Sequence, residues 1–397
     1  MKHRILVLGA GYAGISAAGR LARRLHPEDT EITLVNAEPD FVERIRLHQL
    51  AAGQDLPPRP LSAMFAGTGV RVRLARVTGV DADHGTVALI DAGGGADRLA
   101  YDTLVYALGS GWDAQGAPGV AEHAHEIASR QGALRLRERL ADLRAGASVA
   151  VVGGGLTGIE AATEIAAARP ELDVALVLRG DLGSGLSPRG RAHLHRAFDR
   201  LGIAVHERTE VTAVAADAVT TGSGPLPATV TVWTTGFAVH PIAAAGGLAT
   251  TETGQIVVDG TMRSRSHPDV YAVGDAAHVM GPGGRPLRMS CASGIPTAWL
   301  AADALAARLT GGRLPGRVPR YFNQCISLGR KEGLIQYVTA DDRAKPYLIR
   351  GRSASAYKEL VCRGAAWSLA HPTLGRPVRR KRLAKRTAGT ARAAASD

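Results

Sequence analysis

The chain holds 397 residues, 45% of them hydrophobic and 21% charged, at a formal net charge of +12. That length suffices for two or three domains with real cores in a globular protein. Three cysteines, Cys291, Cys325 and Cys362, stand far apart, which excludes a disulfide framework and fits a reducing, cytoplasmic compartment.

In chain order, residues 4–8 read as a buried strand, 13–25 as a helix and 31–35 as a second strand. The basic "MKHR" before "ILVLGAGYAGI" mimics a signal peptide, but the apolar residues belong to the strand and its turn. No apolar run is long enough to span a bilayer. Gly9, Gly11 and Gly14 stand in G-x-G-x-x-G spacing, with Tyr12 and Ala13 between them. The first glycine permits a tight turn, the second lets backbone approach a pyrophosphate, and the third lets helix pack on strand. The helix N-terminus then offers free N–H groups and a positive dipole end. Asn36 ends the second strand, where a ribose-binding acid usually stands. Short strands follow around 70–74, 78–80 and 86–90, and "DAGGGADR" predicts a hairpin to the next strand. "YDTLVYALGS" is a buried strand ending in a turn at Gly109.

A helix over 131–143 leads into "VAVVGGGLTGIEAATEI". Gly153, Gly155 and Gly158, with Leu156 and Thr157, repeat the strand, glycine turn and helix. One copy is weak evidence; two, each between an apolar strand and an alanine-rich helix, predict two dinucleotides. The second strand of this unit, 173–181, carries Arg179, and β pieces run to Gly236 in "TVTVWTTGF". Further on, a strand ends at Gly274–Asp275, and a helix is expected from Pro296 and Thr297 to about residue 309. Residues 310–316 read as a linker, followed by a hairpin ("CISLGRKEGLIQYV") and a helix ("YKELVCRGAAWSLAH"). The tail 376–397 holds eight basic residues and one Asp, more than half the excess charge. It reads as a frayed, solvated tail; contact with an anionic membrane stays open, and nucleic acid is disfavoured.

Four motifs in order carry a resemblance. "VYAVGDAAHV" resembles the FAD signature of the two-dinucleotide-binding-domain flavoproteins, the pyridine nucleotide-disulfide oxidoreductase superfamily. In that superfamily this Asp binds the ribityl chain. "YALGS" resembles its "ATG" motif and "VWTTGFAVHP" its second connecting motif. Within it, the chain is most similar to type II NADH dehydrogenases and related NAD(P)/FAD-dependent oxidoreductases. "GGGLTGIEAATEI" resembles their "GGGxTGVExAxEL", which places Glu160 and Glu164 on matching acids, and "FVERIRLHQLAAG" aligns with a second motif. "MSCASGIPT" stands where their quinone-site "AQxAxQ" would fall. The long C-terminal membrane helices shrink to one segment and the basic tail.

The resemblance implies an α/β fold of two Rossmann-like domains, the NAD(P)H domain inserted in the FAD domain, plus a small C-terminal α+β region. The expected boundaries are 1–116 and 246–314 for FAD, 117–245 for NAD(P)H, 315–375 for the C-terminal region and 376–397 for the tail. FAD is expected on Gly9, Gly11, Tyr12, Ala13, Gly14, Asn36, Arg44, Gly109, Gly236, Gly274, Asp275, Pro296 and Thr297. NADPH or NADH is expected on Gly153, Gly155, Leu156, Thr157, Gly158 and Arg179. An Arg at a strand end accommodates a 2′-phosphate, while nearby Asp181 keeps NADH open. The helix from Pro296 would aim its dipole at the flavin O2–N1 edge.

His48 is the expected proton donor, with Arg46 and Arg44 beside the flavin or the acceptor, and Glu160 near the nicotinamide. No Cys-x-x-x-x-Cys exists, so disulfide reduction is disfavoured; the thiols read as buried and inert, and no metal site is expected. Hydride transfer from NAD(P)H to FAD and on to a small acceptor, with a quinone as one option, is the leading function. A tailoring oxidoreductase of a specialised metabolite and a nucleotide sensor are the alternatives. A homodimer and attachment to the inner face of the membrane stay open.

Overall fold

The computed structural model describes residues 1–114, 116–316, 318–375 and 379–384. Two five-stranded parallel sheets organise it. The first has the order Val270–Ala272, Thr103–Tyr106, His3–Leu8, Thr30–Asn36, Val70–Leu74. The second has the order Ala204–His206, Asp173–Val177, Ser148–Val152, Val230–Trp233, Ala124–His125. In each, the strand that feeds the glycine turn is central. Ile5 to Leu8 and Val149 to Val152 are all buried, because a parallel sheet is covered on both faces.

Helix Tyr12–Arg24 packs along the long helix Cys291–Thr310. Alanines on both sides (Ala17 and Ala18 against Ala298, Ala301 and Ala302, all buried) let the axes approach closely. Arg20 locks the pair by donating to both oxygens of Asp303, at 2.5 and 2.7 Å. The chain leaves the first sheet through Ser110–Trp112 and returns through Phe237–Val239. These two crossings pair antiparallel, side by side. The turn at Asp91 forms the expected hairpin between Thr86–Ile90 and Ala96–Ala100, with Asp91 accepting from the N–H groups of Gly93 and Gly95.

After residue 318, strands Asn323–Ser327, Gly333–Val338 and Ala344–Arg350 form an antiparallel sheet under helix Arg352–Ala370. Only the first hairpin and the helix are expected from sequence. The third strand, AKPYLIR, is largely exposed and carries a proline, so it lacks a buried alternation to announce it. The sheet is tied to the second unit by Gln336, which is buried and accepts from Ser187 N and Oγ at 3.1 and 2.7 Å.

Two expectations need correction. The helix expected from Pro296 begins at Cys291. A proline this near a helix start costs one backbone bond, to the Ala292 carbonyl, and the helix runs through it. Part of the tail is docked rather than frayed. Lys381 N donates to Arg24 O at 2.8 Å, His26 N donates to Lys381 O at 3.0 Å, and Arg382 reaches Asp29 at 2.8 Å and also Glu28. Residues 376–378 and 385–397 lie outside the described residues. Among the described residues no helix is long and apolar enough to cross a membrane.

Candidate functional site

Two cradles of the same build face the join between the units. Gly9 N donates to Val35 O and Gly153 N to Val177 O, both at 2.8 Å. A Cβ on Gly14 would lie 1.7 Å from Gly9 O, and one on Gly158 1.8 Å from Gly153 O. Gly11 and Gly155 face open space, with nothing within 4 Å of a Cβ. Helices start at Tyr12 and Leu156 with no side-chain cap. The N–H groups of Tyr12, Ala13, Leu156 and Thr157 therefore have no intrahelical partner. Room, free donors and a dipole end suit a pyrophosphate at each turn. Asn36 holds the first turn itself: its Oδ1 accepts from Ala10 N at 2.9 Å and its Nδ2 donates to Glu38 O at 2.8 Å.

Around the first cradle, Gly274 and Gly294 close on Ala13 (a Cβ on either would lie 3.1 or 3.8 Å from Ala13 Cβ). Gly274 N donates to Thr297 Oγ1 at 3.2 Å; Pro296 lies inside the helix beside it. Asp275 Oδ2 accepts from Ser110 Oγ at 2.7 Å and lies 3.6 Å from Arg44 Nη1. Arg44 Nη1 donates to Ser110 O at 2.7 Å, and its guanidinium lies 5.2 Å from the Phe237 ring centroid. Gly109 adjoins Ser110, and Gly236 lies against Asp113. Asp275 and Arg44 thus meet where both crossings run. The Tyr12 hydroxyl is buried without a hydrogen-bond partner.

A cavity of about 480 Å³ opens at the second cradle, lined by Gly153, Leu178, Arg179, Asp181, Glu210 and Trp233 among others. That size is ordinary for a cofactor site. The Trp233 Nε1–H is buried there without a partner.

On the helix that leaves the second cradle lies a buried charge cluster. Glu160 Oε1 accepts from Lys358 Nζ and from Ser327 N at 2.9 Å. His48 Nδ1 stands 3.9 Å from Glu160 Oε2. Burial pushes the Glu160 carboxyl up, but Lys358, His48 and the Ser327 N–H more than offset it and hold it below its ordinary value. One turn on, Glu164 accepts from Gln54 at 2.5 Å, and there burial prevails and raises the carboxyl.

His48 is wholly buried, and burial, aided by Lys358 and Arg46, takes it down to about 4. It is therefore a neutral imidazole at pH 7. Unfolded, it titrates near 6.5, so the folded state binds fewer protons between these values and stability falls as pH falls. The loss should reach about 3 kcal/mol by pH 4. Urea midpoints from pH 7 to 4 should fall more steeply for the native chain than for His48→Gln; equal slopes would contradict a neutral buried imidazole.

Arg46 is held between two carboxylates. It braces Glu359 at 2.7 Å and Glu43 at 3.4 Å, partners supplied by the terminal helix and the preceding loop. Cys362 is buried, Cys291 and Cys325 are half-buried, and burial raises the latter two to about 11. Sequence reasoning missed Lys358, Ser110 and Gln255, whose Nε2 donates to Asp275 O at 2.9 Å. Lys358 alone had a signal. Ala354, Lys358, Cys362, Ala366 and Leu369 form the buried stripe of the terminal helix, and a lysine on such a stripe calls for a partner.

Two parallel sheets, two glycine cradles and an acidic strand end between them define a two-dinucleotide oxidoreductase. The chain belongs to the pyridine nucleotide-disulphide oxidoreductase family, whose model matches residues 3–303. It is 32% identical over 318 residues to an NADH dehydrogenase-like protein of Mycobacterium tuberculosis, covering 74% of this chain and 77% of the relative. It is 28% identical over 324 residues to a demethylphylloquinone reductase of Synechocystis, covering 78% and 80%. Its fold matches NDH2 of Plasmodium falciparum in complex with NADH at a TM-score of 0.81 and 15% identity, over 94% and 97% of the chains. The chain is an NAD(P)H-dependent FAD oxidoreductase of the type II NADH dehydrogenase kind.

Proposed function

We propose that the chain carries electrons from NAD(P)H through FAD to a quinone. FAD is assigned to the unit of 1–116 and 246–314, and the nicotinamide cofactor to 117–245. The observation that carries this reading is the pair of open glycine turns on either side of the paired crossings Ser110–Trp112 and Phe237–Val239. When bound, FAD would supply the two-electron relay between the nicotinamide and the acceptor. The chain's residues position and shield. Gly9, Gly11 and Gly14 cradle one pyrophosphate, and Gly153, Gly155 and Gly158 the other. Asp275, held by Ser110 and flanked by Arg44, would hold the ribityl hydroxyls of FAD, with Gly109 and Thr297 nearby.

The acceptor is assigned from the demethylphylloquinone reductase relative and from the chemistry of the buried cluster. Quinone plus NAD(P)H needs one further proton to give quinol and NAD(P)⁺. The ion pair of Lys358 with Glu160, on the helix that starts at the second cradle, is the group assigned to that proton's delivery. A quinone also asks for contact with a lipid surface. The exposed Leu360, Val361 and Trp367 on the terminal helix supply apolar area for it.

An anaerobic titration of the yellow holoprotein tests the first half. One equivalent of NADPH or NADH should bleach the flavin absorbance, and a soluble quinone should then restore it. No bleaching by either nucleotide would sink the donor assignment; bleaching without reoxidation by quinone would sink the acceptor.

A further inference from the structure

The two cradles can be superposed residue by residue. Leu8 pairs with Val35 and Val152 with Val177, and the first glycine of each turn donates to that second residue. The residue that follows is therefore equivalent in the two units: Asn36 in the first, Leu178 in the second. This is the strand end from which an NAD site presents a carboxylate to the adenosine ribose diol. Leu178 is 4% exposed and packs against Gly154, where a Cβ would lie 2.5 Å from Leu178 Cδ1. It has no group to bond a hydroxyl.

Arg179 comes next, on the rim of the cavity, 75% exposed. The neighbouring segment is stitched to this strand end. Leu178 N donates to His206 O at 3.0 Å, Thr209 N to Leu178 O at 2.9 Å, and Arg208 N to Gly180 O at 3.1 Å. The stitching sets Arg208 on Asp181, with Nε donating at 2.8 Å, which occupies that acid. It sets Glu210 near Arg179, but only at 3.8 Å, an exposed contact of the kind worth little in water. Arg179 is thus the guanidinium at the mouth with the weakest hold on a protein acid, and it stands one residue beyond an apolar ribose position.

We propose that the nicotinamide cofactor of this enzyme is the 2′-phosphorylated one, NADPH, and that Arg179 reads its 2′-phosphate. The inference rests on the nicotinamide assignment above. A phosphate dianion outcompetes the loose Glu210 for a planar guanidinium through paired charge-assisted hydrogen bonds. Arg208, held by Asp181, adds field rather than contact.

The test is calorimetric binding of two fragments, adenosine 2′,5′-bisphosphate and 5′-AMP, to the FAD-loaded full chain. The bisphosphate should bind at least about tenfold tighter, a gap that narrows with added salt. Arg179→Ala should collapse the gap to within about twofold, and Arg208→Ala should keep most of it. Leu178→Asp should turn the preference toward 5′-AMP. Equal affinity for the two fragments in the native chain, or a gap that survives Arg179→Ala, overturns the inference and leaves the site assignment standing. Failure of both fragments to bind overturns the site assignment with it.

Discussion

Lys358→Met is expected to lower the unfolding free energy by about 3–5 kcal/mol, the range for breaking a buried ion pair from one side. Glu160 and Lys358 are only 12% and 11% exposed, so water cannot replace the missing ammonium. Ser327 N would remain as the carboxylate's donor, and one amide does not compensate a buried charge. With Lys358 gone, its largest opposing charge is lost and only Ser327 N and His48 still offset burial, so the Glu160 carboxyl should rise from its lowered position. The sign of the pH response follows. At neutral pH the variant holds an unpaired carboxylate; as pH falls through the raised value the carboxylate takes a proton and the penalty shrinks. Urea midpoints at pH 7.5 and 5.5 should therefore converge between variant and native chain at the lower pH. The double variant Glu160→Gln, Lys358→Met should recover most of the loss, because a neutral amide beside an apolar chain leaves no charge behind. A single-variant loss below about 1 kcal/mol, or a double variant no better than the single, would show that the pair is solvated.

What the sequence reveals and what it hides divide along sequence distance. The glycine turns are legible because Gly9 and Gly14, or Gly153 and Gly158, contact one another within a single turn, so backbone sterics write the motif locally. Asp275 by its residues alone reads as a turn Asp after a strand and a glycine, and becomes legible as a site residue only through the resemblance of "VYAVGDAAHV" to a family signature. Its clamp is not: Ser110 lies 165 residues away. Lys358 and Glu160 are 198 apart, and Arg46 reaches Glu359 across 313. No spacing rule covers such partners: the first is decided by how the crossing strand at Ser110 meets the turn at Asp275, the other two by how the terminal helix settles. His48 reads as an acid–base candidate by residue type alone, and only its burial shows that it is neutral. Pro296 reads as a helix start because a proline is tolerated there, yet the same tolerance lets the helix extend one and a half turns upstream.

Alanine at the third glycine and alanine at the second should fail in different ways, and the difference assigns the cofactors. In Gly14→Ala the new Cβ meets Gly9 O, and in Gly158→Ala it meets Gly153 O. Both are backbone atoms that cannot rotate aside, so helix must move off strand at a cost of about 3 kcal/mol. Gly11 and Gly155 have extended backbone that any residue adopts and open space around them. Compared as FAD-free proteins, the native chain and alanine variants there should melt within about 2 °C of each other, while the new methyl occupies the room a pyrophosphate needs. Gly11→Ala should purify folded but with FAD content reduced at least about tenfold, read from the ratio of 450 to 280 nm absorbance. Gly155→Ala should purify yellow, with native flavin content, and need at least about tenfold more NADPH for half-bleaching. Loss of flavin from Gly155→Ala, with normal nucleotide response in Gly11→Ala, would exchange the two assignments. Native behaviour of both would mean that neither turn holds a phosphate. The stability readout separates either result from misfolding, since only the third-glycine variants are expected to melt early.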